Sequence, residues 1–128
     1  MRRNRPGPYQ IQAAIQAVHS DAPDTGATDW GQILRLYDQL TAVAPSPVVA
    51  LNRAVAVAEV EGPRHALDLV EALDLDGYHV LHAVRADLLR RLGRDTEAVR
   101  EYEAAVALSQ NPAERAYLER RRRELVRE

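Results

Sequence analysis

The chain has 128 residues, a formal net charge of −2 and no cysteine. Its length suits one domain with a hydrophobic core of its own. Without cysteine there are no disulfide frameworks, thiol nucleophiles or cysteine-based metal sites. All 17 basic residues are arginine, which also excludes lysine Schiff-base and P-loop chemistry. The small net charge argues against a protein-wide attraction to nucleic acid or membranes, and no apolar run is long enough to span a bilayer.

Apolar residues recur every three or four positions along most of the chain, a spacing typical of amphipathic helices. With the capping and breaking residues, this pattern predicts seven helices over residues 8–20, 30–44, 47–61, 64–73, 78–92, 95–110 and 112–127. A turn-rich loop, residues 20–28, separates the first two. The third helix is apolar on nearly every side, which predicts a buried, central position.

The helical pattern also repeats at an offset of 32 residues. The matched positions are Arg53 with Arg85, Ala54 with Ala86, Val57 with Leu89, Ala66 with Ala98, Val70 with Tyr102, and Leu73 with Ala105. The first two helices follow the scheme more loosely, with Ile33 and Tyr37 at the positions of Ala98 and Tyr102. A fixed period of this length indicates stacked helical hairpins.

The last hairpin resembles a tetratricopeptide repeat. The positions that carry the resemblance are Ala86, Leu89, Ala98, Tyr102, Ala105 and Pro112. A small residue opposite a large one lets paired helices nest closely. The chain departs from that family where an aromatic residue is replaced by Ala50 and His82, and a leucine by Arg53 and Arg85. We therefore predict an all-α domain over residues 8–128: three antiparallel tetratricopeptide-like hairpins stacked as a right-handed α-solenoid, with the seventh helix as a C-terminal cap.

The chain as a whole resembles, more narrowly, the C-terminal extension of a group of bacterial extracytoplasmic-function (ECF) RNA polymerase sigma factors. The resemblance is carried by GPYQIQAAIQAVHSDAP (7–23), TDWGQILRLYDQL (28–40), PSPVVALNRAVAVAEVEGP (45–63), GYHVLHAVRADLLRRLGR (77–94) and NPAERAYLERR (111–121). In that family, two N-terminal helical domains bind promoter elements and core polymerase, and the extension tunes their activity. No segment here fits the basic recognition helix of a helix-turn-helix promoter reader.

The resemblance implies a cytoplasmic regulatory domain separated from its promoter-binding domains, with residues 1–7 as a linker or expression remnant. Such a domain is not an enzyme and needs no cofactor. It would modulate transcription initiation by contacting the sigma-factor N-terminal domains or the RNA polymerase core, without touching nucleic acid or membrane. Two alternatives stay open: a structural or oligomerising repeat domain, and a small-ligand sensor that gates the sigma factor.

The first helices of stacked hairpins line one concave face, which suits a segment of a partner protein. The candidate partner-binding residues on this basis are Asn52, Arg53, Glu59, Arg85, Asp87, Arg90 and Arg91. For Arg90 and Arg91 the alternative is an ordinary exposed position near a helix C-terminus, where cations are favourable.

Arg53 and Arg85 have alanine and apolar neighbours, so two interpretations arise. In the groove, each would bind a partner carboxylate bidentately. Inside the fold, each would form an ion pair, because a buried guanidinium must be paired; we favour this second interpretation. The carboxylates available for such pairs are Asp38, Asp68, Glu71, Asp87 and Glu103. Asn52 is similarly expected to hydrogen-bond the backbone of a neighbouring hairpin.

The remaining polar clusters predict no catalytic, metal or cofactor site. His79 and His82 lie one helical turn apart, but no carboxylate stands at a known metal-motif spacing, so packing or turn roles are expected. The run from Arg120 to Arg123 spreads around a helix, and glutamates before and after it dilute its charge. This favours a solvated cap face with short-range ion pairs over a nucleic-acid patch.

Overall fold

The computed structural model describes residues 7–21 and 28–126, and all regular structure within those ranges is α-helical. The helices are α1 (Pro8–Asp21), α2 (Trp30–Val43), α3 (Pro47–Glu61), α4 (Pro63–Glu71), α5 (His79–Arg91), α6 (Asp95–Leu108) and α7 (Pro112–Val126). All seven predicted helices are confirmed, each end within two residues of its predicted position. Residues 1–6 of the predicted linker and 22–27 of the predicted loop lie outside the described residues.

The helix starts follow from capping side chains. Asp29 accepts a hydrogen bond from the Gln32 backbone N–H at 3.0 Å, and Ser46 accepts one from Val49 at 3.1 Å. Asn111 accepts from two successive backbone N–H groups at the start of α7, at 2.9 and 3.1 Å. Because the first N–H groups of a helix have no intrahelical partner, each cap fixes where its helix begins.

Glycines make the turns within two of the helix pairs. Gly62, between α3 and α4, has φ 102°, and Gly93, between α5 and α6, has φ 78°. A side chain at either position would be strained in this backbone conformation, which glycine adopts readily. These turns reverse the chain, so that α4 packs back on α3 and α6 on α5.

The helices pack antiparallel in the order of the chain, each against the next, and α3 also touches α5. This confirms the all-α architecture, while the tetratricopeptide-like right-handed stacking of the hairpins stays a prediction. Within the described ranges, no helix combines the length and the apolarity that crossing a bilayer needs.

The core forms around the repeated positions. Five small ones, Ala54, Ala66, Ala86, Ala98 and Ala105, are fully buried. Large side chains at other repeated positions, including Val57, Leu89 and Tyr102, join them in one cluster that extends from α3 to α7. A second cluster joins α1 and α2 to α3 around Ile11, Ile33 and Leu40. Because α3 contributes to both clusters, its predicted central position is confirmed, although Val48 and Val60 near its ends are exposed.

The buried alanines leave no space for a larger side chain. We expect Ala86→Leu to lower the free energy of unfolding by about 1–3 kcal/mol, because three extra carbons must be forced into a packed helix contact. Ala116→Leu is the matched control: it makes the same change at an exposed site of α7 and should shift stability by less than about 0.5 kcal/mol. Urea unfolding of both variants checks this, and equal midpoints would contradict the close packing of α5.

Candidate functional site

A groove lies between α3 and α5, the two helices that carry all seven partner-binding candidates. It contains a hollow of about 190 Å³. The lining residues, which we call the α3–α5 groove, are Val55, Ala58, Glu59, Ala83, Val84, Asp87, Leu88 and Arg91. Three predicted candidates, Glu59, Asp87 and Arg91, therefore come together here. The floor of the groove is apolar and its charged residues stand around it.

The charges of the α3–α5 groove are matched within the protein. Arg91 reaches from α5 to α3, where its Nη1 donates to Oε2 of Glu59 at 3.0 Å, and it lies 3.8 Å from Asp87 on its own helix. Arg90 Nη2 donates to Oδ1 of Asp87. All four side chains are partly exposed, so these pairs add little stability. They give the groove a rim of both signs, with donors and acceptors beside an apolar floor.

A second hollow, of about 240 Å³, lies among α1, α2 and α3. Asn52 lines it with Gln12, Gln16 and Tyr37. The expected bond from Asn52 to the backbone of a neighbouring hairpin is absent: its amide has no hydrogen-bond partner in the described ranges. Asn52 instead lines this hollow.

The two hollows adjoin one face of α3. Val48 and Asn52 line the hollow among α1, α2 and α3, and Val55 and Glu59 line the α3–α5 groove. Their spacings of four, three and four residues place these side chains on the same side of a helix. Along this face of α3, the apolar Val48 and Val55 alternate with the amide of Asn52 and the carboxylate of Glu59.

Arg53 and Arg85 form internal ion pairs, the interpretation we favoured. Arg53 Nε donates to Oδ1 of Asp38 on α2 at 2.7 Å. Arg85 donates to Oε1 of Glu101 on α6 at 3.3 Å and lies 3.9 Å from Glu71 on α4. Neither arginine lines the α3–α5 groove. Glu101 was missing from the expected partners, although its position across the hairpin from Arg85 makes it a natural one.

Both histidines make contacts inside the fold. His82 lies with Nδ1 2.8 Å from Oε1 of Glu101 and Nε2 2.6 Å from the carbonyl oxygen of Asp76. His79 Nε2 lies 3.0 Å from Oε1 of Glu114 on α7. In the part of the chain that the structure describes, no three histidine, aspartate or glutamate side chains lie together as possible metal ligands. The histidines tie the α4–α5 turn, α6 and α7 to α5, a packing role.

Tyr102 of α6 lies beneath the end of α5. Burial raises the pKa of its phenol, and the neighbouring Arg90 guanidinium opposes that rise. The neutral phenol therefore belongs to the folded state. Tyr102 is buried in the core cluster that extends from α3 to α7 and does not line the α3–α5 groove.

No family model matches the chain, and no solved structure matches it. A protein of Rhizobium meliloti (strain 1021), described as an uncharacterized protein, is 52% identical over 120 residues. The matched region is 92% of this chain but 28% of that protein, so the chain spans little more than a quarter of the relative's length. In that organism a closely similar sequence is thus part of a considerably longer polypeptide.

The two internal arginine pairs differ in exposure, which predicts different energies. The Arg85 and Glu101 side chains are 18% and 20% exposed, against 31% and 55% for Arg53 and Asp38. We expect Arg85→Ala to lower the free energy of unfolding by about 1–3 kcal/mol, because Glu101 loses a charged partner in a partly buried site. Arg53→Ala should cost about 0–1 kcal/mol. Urea unfolding measures both, and a stable Arg85→Ala variant would contradict the internal role.

Alkaline pH should destabilise the protein through Tyr102. Because the pKa of Tyr102 is raised in the folded state, its neutral phenol contributes to folding stability fully below pH 10.0, the ordinary pKa of tyrosine. That contribution is lost as the pH rises through the pKa of the folded state. We expect Tyr102→Phe to lose less stability than the native chain over that range. Tyr9→Phe, at a 90% exposed site, is the control and should behave like the native chain. Urea unfolding below and above pH 10, with phenolate absorbance to follow ionisation, tests this. Identical stability profiles for Tyr102→Phe and the native chain would contradict it.

Proposed function

We propose that this chain is a protein-interaction domain of an ECF sigma factor, and that it modulates transcription initiation by contacting the sigma domains or RNA polymerase. In this proposal the domain is cytoplasmic, is not an enzyme and uses no cofactor. The transcriptional role rests on the sequence resemblance, which extends in order through five segments between residues 7 and 121.

The observation that carries the interaction role is the α3–α5 groove. An apolar side chain of a partner can be buried against the apolar floor, which removes it from water and stabilises the complex. The surrounding Glu59, Asp87 and Arg91 can exchange their mutual contacts for contacts with a partner, because their pairs are exposed and weak. An apolar centre with a polar rim is the usual anatomy of a protein interface.

In the α3–α5 groove, the size of the hollow favours a protein segment over a free small ligand, whereas the hollow that Arg53 lines among α2, α3 and α4 is larger, about 460 Å³. At about 190 Å³ the hollow of the groove is smaller than the roughly 300–1,000 Å³ of typical small-molecule pockets. One or two apolar side chains of a partner fit that space. The 52% identical relative, in which the matched region is 28% of the polypeptide, is consistent with a domain that acts on other parts of a longer protein.

Filling the groove should uncouple the domain from its partner. Ala83 is half-buried in the groove wall, and Ala83→Trp would occupy the hollow from within. We expect binding of the sigma domains or polymerase to weaken about tenfold, the loss typical of an interface centre. Ala116→Trp, at the exposed site on α7, should bind normally. Circular dichroism confirms that both variants are folded before binding is measured by interferometry.

Transcription in vitro decides the regulatory role. The full-length factor that contains this domain is compared with a version lacking it, on a promoter that the factor serves. We expect promoter output to change on deletion, and Ala83→Trp to change it in the same direction. Unchanged output after deletion would overturn the proposed function, whatever the groove binds.

A further inference from the structure

A second surface, on the edge of α7 that faces α5, gathers positive charge around an exposed aromatic ring. Tyr117 is 47% exposed. The guanidinium carbons of Arg120 and Arg121 lie 5.9 and 5.7 Å from the centre of its ring, within the range of cation–π attraction. Arg90 of α5 lies close enough to Arg121 for their charges to repel. We call these four residues the arginine–tyrosine edge.

The arginines of α7 differ in how well they are neutralised. Arg122 lies 3.0 Å from Glu119 and 3.8 Å from Glu103 of α6, so two carboxylates balance it. Arg121 has one carboxylate, Glu124, at 3.4 Å. Arg120 has no carboxylate partner within the described ranges, and its contact is the Tyr117 ring. With Arg90 and Arg121 each beside one carboxylate, the three arginines of this edge have two carboxylates between them, and the charge of Arg120 stays unbalanced within the described ranges.

Two guanidinium nitrogens at the same place are buried without a partner. The Nε of Arg90 and the Nε of Arg121 have no hydrogen-bond acceptor within the described ranges. Arg90 is held by Asp87 on its own helix, which balances one of the guanidinium charges. Bringing like charges together costs free energy, and an anion between them offsets that cost.

The chemistry of this edge selects carboxylates on a peptide. A guanidinium fork pairs with a carboxylate through two parallel hydrogen bonds, and a tyrosine face packs against the neighbouring aliphatic carbons. A nucleic-acid backbone needs a continuous positive track. Glu114, Glu119 and Glu124 interrupt such a track on α7, and the chain carries a net charge of −2.

We propose that the arginine–tyrosine edge docks an acidic segment of a partner protein, with aspartate or glutamate carboxylates on Arg120 and Arg121 beside Tyr117, and Arg90 contributing from α5. The inference rests on the proposed interaction role and names the chemistry of the partner. It also adds α7, for which the sequence predicts a solvated cap, to the binding surface.

The test is a binding titration with the present chain and a fluorescein-labelled glutamate-rich peptide of about ten residues, followed by anisotropy. We expect binding that weakens with added salt, and a loss of about tenfold in affinity for Arg121→Ala. Arg123→Ala is the matched control, because it removes the same charge from an exposed site on α7 that has no ion pair within the described ranges. It should change affinity by less than about twofold.

Three results would overturn this proposal: no peptide binding by the folded chain, equal losses for Arg121→Ala and Arg123→Ala, or tighter binding of a single-stranded oligonucleotide with the same dependence on Arg121. Urea unfolding of both variants shows that a lost affinity is not a lost fold. The titration contains no sigma domain and no polymerase. If the peptide binds while promoter output is unchanged by deletion of the domain, the docking surface stands and the sigma-factor role is overturned. If promoter output changes while the peptide does not bind, the sigma-factor role stands and the docking surface is overturned.

Discussion

The close approach of helices through alanine is the constraint on which the rest of this structure depends. Ala54 and Ala86 on the first helices, with Ala66 and Ala98 on the second, are all fully buried. Without Cβ branches between them, two helices can nest with little void and lose little dispersion energy. The same spacing sets the α3–α5 groove, whose walls include the small residues Ala58 and Ala83. Core packing and surface shape thus have one origin.

The arginines in the first helices show how a polar residue is accommodated beside such a core. Arg53 and Arg85 are related by the repeat, and each has a carboxylate on the second helix of the preceding pair, Asp38 and Glu71 respectively. A charged group that leaves water needs a partner, so each arginine links its hairpin to the one before it. These links do not involve the groove charges Glu59, Asp87 and Arg91, which pair at the surface with one another and with Arg90.

The helices could be predicted because capping residues, glycine turns and apolar spacing are local properties of the chain. The groove could be predicted in part, since Glu59, Asp87 and Arg91 follow from the face of their helices. Partner choice could also be predicted only in part. Asp38 beside Arg53 and Glu71 beside Arg85 were among the expected carboxylates. The contact of Glu101 with Arg85 and the lack of a partner for Asn52 in the described ranges depend on how α6 and α1 are oriented against their neighbours. The different surroundings of Arg121 and Arg122 likewise depend on the rotation of α7 about its axis, which periodicity leaves undetermined.

Packing in the order of the chain has a consequence for how this protein folds. Because each helix rests mainly on the next, the connecting segments that must close are short and their closure entropy is small. Such low contact order favours rapid folding, and hairpins can form one after another during synthesis. Stability is then approximately a sum over neighbouring pairs. The outermost helices α1 and α7 each have one principal neighbour, so they open at lower free energy than α3 and α5. Tyr117, Arg120 and Arg121 of the arginine–tyrosine edge lie on the more readily opened α7, and Arg90 lies on α5.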